Sequence, residues 1–125
     1  MNKISLFFLL SLLYACQSKK NSKLVFIKET QTNDTIQAGT SKTFNYILKN
    51  EGDSVINILD FRLSCDCTNT NLKKGLVIKP KSTKAIYLTV ETSKHEANKN
   101  KKLFLTIKAN TNPQLTSIEI PVYIK

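Results

Sequence analysis

The sequence is short of the side chains on which most catalysis and most nucleic-acid recognition depend. It has nine acidic residues, one histidine and, among nineteen basic residues, a single arginine, Arg62. The acids are scattered, and none stands out as a general base. No glycine-rich phosphate loop, paired catalytic carboxylates or nucleophile elbow is present. The sequence also lacks internal repeats and low-complexity tracts. Its apolar run from Ile4 to Leu13, broken by Ser5 and Ser11, falls well short of the ~20 residues a spanning helix needs.

What the chain has instead is lysine. The formal charge is +10 at pH 7, which raises nucleic acid or an anionic membrane as partners. Nucleic acid is disfavoured on chemistry, because bidentate contacts to phosphate and guanine favour arginine. The lysines are also dispersed (Lys28, Lys42, Lys49, Lys79, Lys108) rather than gathered in a stripe. A soluble, lysine-decorated surface with no nucleic-acid partner is the expectation.

The N-terminus carries an address. Lys3 supplies a positive n-region, Ile4 to Leu13 an apolar h-region, and Leu13-Tyr14-Ala15-Cys16 places a small residue before a cysteine. This layout resembles the lipobox of bacterial lipoproteins, with Tyr14 where that pattern prefers a small residue. The resemblance implies cleavage before Cys16 and diacylglycerol on its sulfur. A plain cleaved signal with an incidental cysteine, or an uncleaved anchor, is the alternative. Stable anchoring takes at least two lipid signals, which a multiply acylated Cys16 would supply. The expected organisation is a signal peptide at 1–15, lipidated Cys16 with a tether to residue 23, and one domain over 24–125. Lys19, Lys20 and Lys23 follow the anchor, where each could gain ~1 kcal/mol beside anionic headgroups or simply solvate the tether. The tether lacks the acids that resemble a surface-export tag, which points to an outer-membrane lipoprotein facing the periplasm.

Beyond the tether the pattern is that of strands. Leu24 to Ile27 is a short apolar run, and Phe44, Tyr46 and Leu48 alternate with Asn45 and Lys49. Asn50-Glu51-Gly52-Asp53 is turn chemistry. Val55 to Leu63 returns, with Ile56, Ile58 and Phe61 on one face. Leu76 to Ile78 leads to a turn at Lys79 to Ser82, then Ala85 to Val90. Ser93 to Lys102 reads as a polar loop or hairpin end. Leu103, Leu105 and Ile107 alternate, as do Ile118, Ile120, Val122 and Ile124. Pro121 inside that last run removes a donor and predicts an edge or a bulge. The expectation is an all-β, antiparallel β-sandwich of about seven strands.

Three signals then occur in a fixed order: Lys49-Asn50-Glu51-Gly52-Asp53, Ser64-Cys65-Asp66-Cys67-Thr68, and Ile78-Lys79-Pro80. Over about residues 24–110 this order resembles an uncharacterised bacterial Ig-like lipoprotein domain common in Bacteroidetes. That family typically has Asn-x-Gly, Cys-Gly-Cys-Thr and Pro-Gly, and is similar to Hydin-type and major-sperm-protein-type Ig folds. The resemblance implies an Ig-like sandwich and a binding or scaffolding role, and no reaction. Asp66 stands in place of the central glycine, and Lys81 in place of the glycine after the proline.

Cys65 and Cys67 admit three readings. In an extended strand, residues two apart lie ~6.5 Å apart, near the upper limit for a disulfide, so bridging them requires a turn at Asp66. A three-residue loop would stabilise by roughly 1.6 kcal/mol at most. The pair is then a packed or oxidised turn in which Thr68 closes local hydrogen bonds. It could instead be a soft-metal site for copper or zinc, with His95 and carboxylates as further ligands, or a thiol–disulfide exchanger. His95 itself lies in a lysine-rich polar loop, where exposure to solvent is the ordinary outcome. The leading expectation is a non-enzymatic, lipid-anchored envelope domain with no cofactor, binding an unknown envelope protein. A metal or redox role through Cys65 and Cys67 is the alternative.

Overall fold

Alternating apolar residues can be buried only if strands pair and two sheets close over their greasy faces, and this chain does so. The computed structural model describes residues 22–29 and 34–125. Among them are nine strands: β1 (Leu24–Lys28), β2 (Thr35–Ile36), β3 (Ser41–Asn50), β4 (Ile56–Leu63), β5 (Thr68–Thr70), β6 (Val77–Ile78), β7 (Thr83–Glu91), β8 (Lys99–Ala109) and β9 (Leu115–Ile124). The signal segment, Cys16, Lys19 and Lys20 lie outside the described residues.

The strands form a four-stranded sheet, β1-β3-β7-β5, and a five-stranded sheet, β2-β9-β8-β4-β6. Every pairing is antiparallel except β2 with β9. The result is an all-β, Ig-like sandwich. Between the sheets lie Phe44, Leu48 and Leu88 from one layer and Ile56, Ile58, Leu105, Ile107 and Ile120 from the other, all nearly inaccessible to solvent. Burying each such side chain contributes about 1.5–3 kcal/mol.

Two strands exceed the sequence expectation. β2 and β5 have two and three residues, too short to display a period. The polar stretch from Ser93 is also only partly a loop. A 3₁₀ turn spans Lys94–Glu96, and β8 begins at Lys99. Lys99 to Lys102 are strand because they pair with Ile124 to Pro121, so hydrogen bonding to β9 overrides their polarity.

The bulge lies elsewhere than Pro121. In β4, Ile58 pairs with Ala109 and Asp60 with Lys108, leaving Leu59 as the extra residue. Before it the inward residues are Ile56 and Ile58; after it they are Phe61 and Leu63, which pack against the core. Pro121 faces the open side of β9: Tyr123, of the same parity, donates its N–H to Asp34 O at 2.8 Å, whereas Ile124 O accepts from Asn98 on the β8 side. No β8–β9 hydrogen bond is therefore lost at the proline.

Candidate functional site

The chain reverses between β4 and β5 at Cys65-Asp66-Cys67. Thr68 N–H donates to Cys65 O at 3.2 Å, closing a turn with Asp66 and Cys67 at its centre. The Cα atoms of Cys65 and Cys67 lie 5.1 Å apart and their sulfurs are bonded. The Cys67 N–H also points at Cys65 Sγ, at 3.1 Å. Both cysteines are half-buried and lean on the hydrophobic core. Thr68 is buried, with its hydroxyl 3.9 Å from Cys67 Sγ.

Asp66 is exposed and does not have positive φ. Among the non-glycine described residues, that conformation falls on Lys81 (φ 58°) and Asn98 (φ 64°). The glycine that the resemblance would place at 66 is not called for by backbone geometry, whereas Lys81 adopts the left-handed conformation that favours the glycine of the resemblance.

His95 is exposed on the 3₁₀ turn. Its neighbour Glu96 accepts from Ser93 N–H at 2.8 Å and pairs closely with Lys101. Those contacts, Lys101 first, hold the Glu96 carboxyl below the usual glutamate range. No group of three or more His, Cys, Asp or Glu side chains among the described residues is placed to hold a metal ion. Lys23 is exposed, 3.8 Å from Glu51 Oε2, and its carbonyl accepts from Glu51 N–H. The tether thus joins the domain beside the β3–β4 turn.

Sequence reasoning placed Asn50 in a turn and missed its larger role. It is fully buried at the end of β3. Its Nδ2 donates to Ser54 O (2.8 Å) and to Ile78 O of β6 (3.0 Å), and its Oδ1 accepts from Gly52 N–H (3.0 Å). One amide shapes the turn and ties one sheet to the other. The signal was its parity: it continues the inward series Phe44, Tyr46, Leu48.

A second feature passed over is on the outward face of the five-stranded sheet. Phe104, Leu115 and Tyr123 stand 40%, 59% and 39% exposed there. Around Leu115, together with Asp60, Phe61, Arg62, Thr106 and Lys108, is an open cavity of about 340 Å³; Tyr123 lies toward the other end of the face, opposite Asn100. Phe104, Thr106 and Lys108 occupy the positions opposite in parity to the buried Leu105 and Ile107, so their outward direction was legible.

A protein-family model described as "Protein of unknown function (DUF1573)" matches residues 24–124. No curated protein matches the chain. Among solved structures, a protein of unknown function from Porphyromonas gingivalis W83 is similar, with a TM-score of 0.65 and 12% identity. The match covers 88% of this chain and 50% of that one, so the chain spans about half the length of that protein. The secreted serine protease VesC from Vibrio cholerae is similar with a TM-score of 0.56 and 12% identity, over 81% of this chain and 23% of its own. A FixG-related protein from Vibrio parahaemolyticus has a TM-score of 0.53 and 11% identity, over 83% of this chain and 96% of its own. At such identities the likeness is one of fold alone.

Proposed function

This chain belongs to the DUF1573 family of proteins of unknown function, and on that premise we propose that it is a non-enzymatic, lipid-anchored binding domain of the bacterial cell envelope. The domain faces the periplasm and presents the outward face of its five-stranded sheet to an envelope protein. The observation that carries the binding role is on that face: Phe104, Leu115 and Tyr123, large and exposed, share it with a cavity. Aromatic residues on an otherwise polar, cationic surface are what interfaces enrich. The anchor rests on the sequence before Cys16, and Lys23 leads directly into β1.

Each half has its own test. Radiolabelled palmitate is expected to enter the wild type and not Cys16→Ala; equal labelling overturns the anchor. Cross-linking in intact envelopes is expected to capture a partner with the wild type. A Phe104→Glu/Tyr123→Glu variant that folds normally is expected to lose it. Undiminished capture overturns this face as the docking surface.

A thiol–disulfide role for Cys65 and Cys67 is the second reading, favoured by their bonded sulfurs on a half-exposed turn. Counting alkylated thiols in protein taken directly from the envelope tests it. A mixture of reduced and oxidised chains supports exchange, and full oxidation resistant to mild reductant removes it. A Cys65→Ser/Cys67→Ser variant should keep the fold, because a three-residue loop stabilises by no more than roughly 1.6 kcal/mol.

A further inference from the structure

Two rows of side chains cross three adjacent strands beneath the cavity of the five-stranded sheet. Asp60 lies opposite Lys108, which lies opposite Leu115; Arg62 lies opposite Thr106, which lies opposite Ser117. The charged groups differ in how far they are already engaged. Asp60 accepts from Phe61 N–H at 2.8 Å and pairs with Lys74 at 3.2 Å. The side chains of Arg62 and Lys108 make no hydrogen bond or ion pair among the described residues. The hydroxyls of Thr106 and Ser117 are 2.6 Å apart. Leu115 supplies the apolar wall, while Phe61 borders the cavity from a strand position whose side chain packs on the core.

We propose that this cavity binds a carboxylate carried on an apolar stem, with Arg62 as its principal ligand, Lys108 as a second cation, and Leu115 against the stem. A guanidinium presents a fixed fork that matches a carboxylate in two parallel hydrogen bonds, which a lysine cannot do. The only arginine of the chain is therefore placed where a fork has use. Inorganic phosphate matches the fork but not the apolar wall, and a dianion would meet the fixed charge of Asp60. The cavity, at about 340 Å³, is at the small, open end of the range for ligand pockets. That size suits one side chain or chain end of a partner polypeptide better than a large free ligand. The inference rests on the reading of this chain as a binding domain and names the chemistry its face recognises.

The test uses the full chain in non-ionic detergent, followed by amide chemical-shift titration. The probes are 3-phenylpropionate, its uncharged amide, inorganic phosphate, and acetyl-Ala-Ala-Phe with a free or amidated C-terminus. Both carboxylates are expected to bind and to shift resonances of Arg62, Thr106 and Leu115, and both amides to fail. Arg62→Gln should weaken binding about tenfold or more, the scale of losing a charge-assisted bidentate contact. Lys108→Gln should weaken it less, Arg62→Lys should recover only part, and Lys84→Gln, on the other sheet, should leave it unchanged. Tighter binding of the peptide than of the free acid identifies a polypeptide as the source, and the reverse order identifies a small organic acid. Equal binding of acid and amide, indifference to Arg62→Gln, or phosphate binding as tightly as 3-phenylpropionate overturns the proposal. If the carboxylates fail while Phe104→Glu/Tyr123→Glu still abolishes partner capture, the carboxylate inference falls and the docking face stands.

Discussion

Asn50 is an amide at a position where its strand otherwise offers hydrocarbon, and it is tolerated because all its polar atoms are used. Replacing it with alanine strands Gly52 N–H and removes a donor from the carbonyls of Ser54 and Ile78. A buried polar group left without a partner costs about 1–3 kcal/mol. Asn50→Ala should therefore destabilise by about 2–4 kcal/mol, read from the urea midpoint. Asn50→Asp keeps the acceptor for Gly52 but loses both donated bonds, so it should fall short of wild type as well. A midpoint unchanged in Asn50→Ala would mean the turn holds without the amide. Lys81 gives the opposite expectation. With φ at 58° it sits where L-residues are strained by ~1–2 kcal/mol, while glycine adopts the conformation freely but is freer when unfolded. Lys81→Gly should stabilise by about 0.5 kcal/mol, despite losing an exposed hydrogen bond to Glu51 O. A lowered midpoint would contradict this.

At the scale of the element, the β4 bulge decides which side chains meet the core. Leu59 is half exposed, so Leu59→Ser should change stability by less than about 0.5 kcal/mol. Deleting Leu59 should also be tolerated, because Ile58 and Asp60 already pair with the consecutive residues Ala109 and Lys108, and its removal leaves Ile56, Ile58, Phe61 and Leu63 all facing the core. The expected result is a cooperative melt near that of wild type by circular dichroism, and loss of the cooperative melt would refute the assignment of the bulge. The sequence made this bulge half visible: apolar residues at 56, 58, 61 and 63 break strict alternation once. The long strands β3, β7, β8 and β9 were legible for the same reason, since each shows its period over many residues. β2 and β5 were not, because their identity comes from partners distant in sequence, Tyr123 and Ile124 for β2 and Leu88 to Val90 for β5. The Cys65–Cys67 turn could be located from its residues, but the choice among turn, metal site and exchanger could not. Arg62 was noted only as an exception among lysines, because the grouping with Lys108 and Leu115 exists only once β4, β8 and β9 are in register.

Across the whole molecule, acid acts on a chain that is already +10. Each carboxylate protonated on the way down raises that charge and adds self-repulsion. Two carboxylates also lose specific contacts. Lys74 and the Phe61 N–H hold Asp60 below its ordinary value of 3.8, and Lys101 and the Ser93 N–H hold Glu96 below 4.5. Because both folded values lie beneath the unfolded ones, their contribution is complete above the ordinary carboxylate range and is lost as pH falls through the depressed values. The urea midpoint should be nearly flat between about pH 7 and 5 and fall below about pH 4. Added salt should recover the part of the fall due to general repulsion, since exposed charges are screened over ~10 Å at 0.1 M. It should not restore the two hydrogen-bonded carboxylates. Lys101→Gln should bring the Glu96 titration, followed by carboxyl carbon shifts, back up toward 4.5 and move part of the loss to higher pH. A midpoint that stayed constant into strong acid, with Glu96 titrating identically in wild type and Lys101→Gln, would show that these ion pairs stabilise nothing and that the sandwich is held by its apolar layers alone.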